Sequence, residues 1–213
     1  MSNSIVLTRI DDRLIHGQVM TSWLNYTSAT KIMVVDDRSA QDPFLKTVLK
    51  NAVPKNVGLG VFTAEKAANR LIKGFPESDR VIILVKYPAT ICKMMKLGVK
   101  FDKVNIGGMG AAKNREKFYK NISASEEEKE MLKTMIDAGT KVEIQIIAED
   151  AAVDVSKFII REGEKNDNFS DSGNFDWSAI LSWNQWYSMD NTSWKYDFTK
   201  TVSIRCTCWV HSW

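Results

Sequence analysis

His16 lies three residues after Arg13 and directly before Gly17, in the run Arg9-Ile10-Asp11-Asp12-Arg13-Leu14-Ile15-His16-Gly17-Gln18-Val19. It is one of only two histidines in the 213-residue chain. A neutral imidazole, with a reference pKa of ~6.5, is a competent nucleophile near neutral pH. A phosphoryl group carried on that ring needs donors close by, and the forked guanidinium of Arg13 can supply them. Gly17 would let the backbone come close to the phosphoryl oxygens. Asp11 or Asp12 could orient Arg13 or the imidazole. Spacing alone leaves a second reading open, a histidine that only caps a helix or sits on the surface.

These residues need elements to position them. Short β-branched runs predict strands at Ile5–Thr8, Lys31–Val35, Val57–Phe62, Arg80–Val85, Lys103–Ile106 and Lys141–Ile147. Helical spacing lies between them at Gly17–Asn25, Pro43–Asn51, Ala64–Ile72, Ala89–Leu97 and Ser125–Ala138. Ser125 and Glu128 have capping-box spacing, and Gly139 would end that last helix. Lys120–Ser123 reads as one further short strand. Alternation of this kind predicts an α/β fold, a mostly parallel sheet with helices on both faces. The His16 run would then follow the first strand and open the first helix. Strand carboxyl ends are where such sheets bind ligands, and a helix N-terminus favours an anion.

Composition excludes several other functions. Hydrophobic residues make up 44% and charged residues 26%, as in a globular domain with a full core. A net charge of +3 gives no support for a nucleic-acid groove. No apolar run approaches the ~20 residues needed to cross a bilayer. With no basic, cleavable leader at the N-terminus, the expectation is a cytoplasmic protein, in which the N-x-[ST] matches at Asn25, Asn121, Asn168 and Asn191 are inert. Cys92, Cys206 and Cys208 form neither a disulfide framework nor, with His211, a four-ligand zinc site. Gly107-Gly108-Met109-Gly110 lacks the spacing of a nucleotide loop and reads as a tight turn at a strand end. The pairs Asp11-Asp12 and Asp36-Asp37 suggest a Mg²⁺ site of receiver type, but no aspartate ends the third strand run. No metal or other cofactor is expected.

Near residue 160 the sequence changes character. Six of the seven tryptophans fall in residues 161–213, where aliphatic residues thin out and periodicity is lost. That segment has five Lys/Arg against seven Asp/Glu, whereas residues 1–160 have 24 against 19. The expectation is one domain over residues 1–160 and an atypical tail over 161–213, extraneous or disordered, with too little aliphatic surface for a core of its own.

The run Arg9–Val19 resembles the phosphorylation-site signature of the IIB subunits of the bacterial phosphoenolpyruvate-dependent sugar phosphotransferase system, mannose/fructose/sorbose family. The likeness continues in Val34-Val35-Asp36-Asp37, Lys86-Tyr87-Pro88 and Asn105-Ile106-Gly107-Gly108-Met109, and extends to about residue 160. It implies a Rossmann-like sheet of six or seven strands. It also implies that His16, at Nδ1, accepts a phosphoryl group from a IIA phosphohistidine and passes it to a sugar held by membrane IIC and IID subunits. Arg13 would steady the group, with Asp11, Gly17, Gly107 and Gly108 as neighbours. His16 should then be exposed, with no deep pocket. The resemblance further implies peripheral association with a membrane transporter, and a homodimer in some members. The alternative is a catalytically silent α/β binding or regulatory module on the same fold.

Overall fold

The computed structural model describes residues 4–159. The tail over 161–213, with Cys206, Cys208 and His211, lies outside the described residues. A seven-stranded sheet has the order β3-β2-β4-β1-β5-β8-β9. Its strands are β1 (Ile5–Asp11), β2 (Lys31–Val35), β3 (Gly58–Phe62), β4 (Val81–Val85), β5 (Lys103–Gly108), β8 (Lys141–Ile144) and β9 (Val153–Asp154). All neighbouring pairs run parallel except β8 with β9. β4 is buried at every position, which explains its continuous Val-Ile-Ile-Leu-Val run: a central strand covered on both faces has no side to give to polar residues.

Alternation along each strand sorts the core into two layers. Met33, Val35, Ile83, Val85, Ile10 and Ile106 share one cluster with residues of α4 (Ala64–Lys73), α5 (Pro88–Lys96) and α6 (Glu126–Asp137). Ile32, Val34, Ile82 and Leu84 share the other with Leu14, Val19 and Leu24. Val19 and Leu24 belong to the first helix, which has a π-helical stretch at Val19–Trp23 that runs on into α1 (Leu24–Thr27). The helix after β1 thus leaves to one face, and those after β4 and β5 belong to the other. The carboxyl ends of these three strands therefore lie where the helices switch faces, the position at which such sheets bind ligands.

Several boundaries differ from expectation. β1 continues three residues past Thr8, through Arg9, Ile10 and Asp11. Hydrogen bonds to both β4 and β5 sustain it there, although its apolar run has ended. Lys120–Ser123 is the turn and second arm of a hairpin, β6 (Glu116–Tyr119) with β7 (Ile122–Ala124), and Lys120 takes a positive φ of 48°. β8 stops at Ile144: Gln145 N still donates to Ile106 O of β5 at 3.0 Å, but the Gln145 and Ile146 carbonyls turn to a different partner described below. The short helix α2 (Asp37–Gln41) is capped by Asp36, whose side chain accepts from Ser39 N at 2.8 Å. α3 (Pro43–Asn51) follows at once. The α6 capping box forms as expected, and Gly139 takes a φ of 87° just beyond the helix.

Candidate functional site

β1 places Ile10 in the apolar layer and turns Arg9 and Asp11 to the opposite face. Both are completely buried. Arg9 donates to Asp11 Oδ2 through Nε at 3.3 Å and Nη2 at 3.1 Å. Its Nη1 also donates to Asn105 Oδ1 and, at 2.8 Å, to the Gln145 carbonyl. Nη2 reaches the Ile146 carbonyl at 3.0 Å. These contacts explain why β8 gives way at Gln145. The Trp23 ring covers the guanidinium, with its centroid 5.0 Å from Cζ. Burial pushes the Arg9 pKa down to about 10, against the opposing pull of Asp11. The group therefore stays charged at neutral pH.

Asp11 takes a second arginine from the solvent side. Arg13 Nε donates to Asp11 Oδ1 at 3.0 Å and Nη2 to Oδ2 at 3.1 Å, a forked pairing. Arg13 keeps 46% of its side chain exposed. Its pKa is raised, first by the hydrogen bond to Asp11. Two guanidinium groups on one carboxylate leave a surplus positive charge, and only the outer arginine can present it to an incoming anion.

The loop then folds back on itself. Leu14 adopts φ 54°, an unfavourable region for a leucine. Leu14 N donates to Asp11 O at 3.0 Å. This turn aims the Leu14 carbonyl at His16, whose Nδ1 lies 2.9 Å from it and so carries the ring proton. His16 Nε2 is buried, makes no hydrogen bond and lies 3.7 Å from Asp11 Oδ2. His16 does sit at the carboxyl edge of β1, at the start of the first helix. It is not the freely exposed side chain expected from sequence, since only 17% of it is open. The ring is held down between a strained carbonyl and a buried carboxylate. A 650 Å³ surface cavity lined by Tyr87, Asn114, Arg115, Ser125, Glu128 and Met131 includes neither His16 nor Arg13.

The glycines divide. A Cβ on Gly107 would fall 1.7 Å from Arg9 Cζ, and one on Gly108 2.7 Å from Asp11 Oδ1. Both positions let β5 pass close to the buried charges. Gly17 has nothing within 4 Å of such a Cβ and is exposed, so it packs against none of the other candidates. The two aspartate pairs that suggested a metal are occupied otherwise. Asp12 accepts from Gly110 N at 2.7 Å, Asp36 caps α2, and Asp37 accepts from Ala64 N and pairs with Lys93. The sequence reading missed Arg9. Its signal was there: Arg9 and Asp11 have opposite charges two residues apart, the spacing that puts both on one face of a strand.

A mostly parallel α/β sheet sets a histidine, an arginine and a buried aspartate at the carboxyl end of its first strand, an arrangement suited to receiving an anion. The family model described as "PTS system sorbose subfamily IIB component" matches residues 5–170, and the chain belongs to this family. It is 34% identical over 151 residues to the PTS system fructose-specific EIIB component of Bacillus subtilis (strain 168), covering 71% of this chain and 93% of that protein. The PTS system mannose-specific EIIAB component of Escherichia coli (strain K12) is 33% identical over 146 residues, 68% of this chain and 45% of that longer protein. The crystal structure of the IIBSor domain of the sorbose permease from Klebsiella pneumoniae is 30% identical. It superimposes with a TM-score of 0.67 over 75% of this chain and 97% of that one. Among the described residues no helix is long and apolar enough to cross a membrane.

Proposed function

We propose that this IIB component carries a phosphoryl group on His16 during sugar uptake, receiving it from a IIA phosphohistidine. The observation that carries the reading is the shared Asp11 carboxylate, which pairs with Arg13 and lies 3.7 Å from His16 Nε2. In the resting ring the proton sits on Nδ1, so attack by Nδ1 requires the other tautomer: Nδ1 gives its proton to water and Nε2, facing Asp11, takes one up, which leaves Nδ1 a free lone pair. A small swing of the ring releases Nδ1 from the Leu14 carbonyl, at a cost of about 1 kcal/mol for one hydrogen bond. Nδ1 then attacks phosphorus in line. The P–N bond to the donor imidazole breaks as the new P–N bond forms, and the His16 proton stays on Nε2. Arg13 stabilises the charge on the equatorial oxygens. The open space beside Gly17 and the dipole of the first helix suit the same anion.

The phosphoryl group then passes to a sugar held by membrane IIC and IID subunits, with this chain bound to them peripherally. The relatives are named for fructose, sorbose, mannose and N-acetylgalactosamine, and nothing in this site selects among them. A homodimer is a further proposal, to be checked by light scattering. Incubation with phosphoenolpyruvate, the two general energy-coupling proteins and a IIA partner tests the main reading. Acid-labile, alkali-stable phosphate is expected on the chain and not on His16→Ala. An unlabelled wild type beside an active cognate donor would falsify it.

A further inference from the structure

We infer that Arg9 is a positioning residue for the transfer step: from inside the sheet it fixes the Asp11 carboxylate against which Arg13 and His16 are set. This rests on the reading that His16 takes the phosphoryl group. Arg9 itself is fully buried, and none of its contacts is to His16 or to solvent. It acts through Asp11.

Three observations converge. All five N–H groups of the Arg9 guanidinium have acceptors: two bonds go to Asp11, and one each to Asn105, Gln145 O and Ile146 O. Such a socket fixes the group in position and in orientation. Secondly, the neighbouring strand leaves room for it. Gly107 stands where any Cβ would overlap Cζ and Nη2, each at 1.7 Å. The Trp23 ring packs over the guanidinium as well. Thirdly, one oxygen serves three groups. Asp11 Oδ2 accepts from Arg9 Nε and Nη2, accepts from Arg13 Nη2, and lies 3.7 Å from His16 Nε2.

Stability does not call for this arrangement. Buried ion pairs can often be replaced by apolar residues without loss, and apolar side chains fill the equivalent interior positions of β2 and β4. The charge makes sense beside the site. Without Arg9 the carboxylate answers only to Arg13, which is half exposed and draws it toward solvent. Oδ2 then no longer meets His16 in a fixed direction. Behind metal ligands, groups that orient a directly acting residue in this way are worth about 10- to 100-fold when removed, and an effect of the same order is expected here.

The test uses the full chain with Arg9→Met, Arg9→Lys and Gly107→Ala. The last keeps the charge but pushes the guanidinium out of its socket. Phosphoryl acceptance from the IIA donor is measured with the ¹H–¹⁵N resonance of Arg13 Nε, which reports its bond to Asp11 Oδ1. Variants that melt cooperatively are expected to lose about 10- to 100-fold in kcat. Half-saturation by the donor should stay within about twofold, the Arg13 signal should move, and Arg9→Lys should recover part of the rate. Should Arg9→Met not fold, the lysine and alanine variants decide by the same readouts. A folded variant with wild-type kcat and an unmoved Arg13 signal overturns the inference, even if its melting temperature falls, because Arg9 would then be only structural. If the wild type accepts no phosphate, the proposed function fails. The Arg13 signal still reports whether Arg9 sets Asp11.

Discussion

Asp11 and Asp12 are consecutive in the chain and build two different charge clusters. Asp11 is buried and pairs with Arg9 and Arg13, so one carboxylate faces two guanidinium groups. Asp12 is partly open and accepts from Gly110 N, with Arg115 3.9 Å away. Arg115 pairs with Glu128 and donates to the Gly110 carbonyl at 2.9 Å, and its pKa is raised first by the Glu128 bond. In this second cluster two carboxylates meet one guanidinium, and no surplus positive charge remains. The first cluster can receive an anion. The second ties the loop after β5 to the start of α6. The difference between the proposed phosphoryl site and a structural clamp lies in the charge balance and in the presence of His16, not in the number of ion pairs.

Substitutions should separate the two clusters. Asp11→Asn has the largest expected effect after loss of His16 itself, because it leaves the buried Arg9 without its counter-charge. A loss of about 3–5 kcal/mol in stability is expected, read by urea unfolding, together with loss of labelling. A variant that unfolds like wild type would remove Asp11 from the centre of the cluster. Arg13→Ala comes next. With 46% of the Arg13 side chain exposed, the fold should survive while transfer loses on the order of 2–4 kcal/mol of transition-state stabilisation. Near wild-type turnover would show that the surplus charge is not used.

Glu128→Ala strikes the clamp. It removes the Arg115 pair and half of the capping box, an expected loss of about 1–2 kcal/mol in stability. Labelling of His16 should stay within about twofold. A fall matching that of Arg13→Ala would mean that the two clusters work as one. The smallest effect is expected from removing residues 171–213, which lie beyond the family match. Melting temperature and labelling rate should both hold, and a drop in either would make the tail an integral part of the protein.

The sheet was legible in the sequence because its central strands are buried on both faces. Runs such as Val81–Val85 have few other readings. His16, Arg13 and their place between first strand and first helix were legible as well. What escaped was the polar half of β1. Arg9 and Asp11 interrupt the apolar run, so its pattern predicts a strand ending at Thr8, whereas their charges are satisfied by partners up to 137 positions away in the chain. The same hidden contacts cover His16. The family resemblance implied an open ring, but the left-handed turn at Leu14 and the buried Asp11 cannot be seen until β1 and β5 are side by side.

The central claim is that His16 carries the phosphoryl group on Nδ1 while Asp11 holds the proton on Nε2. The most direct measurement is the ¹⁵N and ³¹P NMR spectrum of ¹⁵N-histidine-labelled chain after phosphorylation by its IIA donor. The account predicts one phosphorylated ring, His16, with the P–N coupling at Nδ1 and His211 unmodified. Coupling at Nε2 would contradict the role given to Asp11, and phosphate on any residue other than His16 would contradict the claim outright.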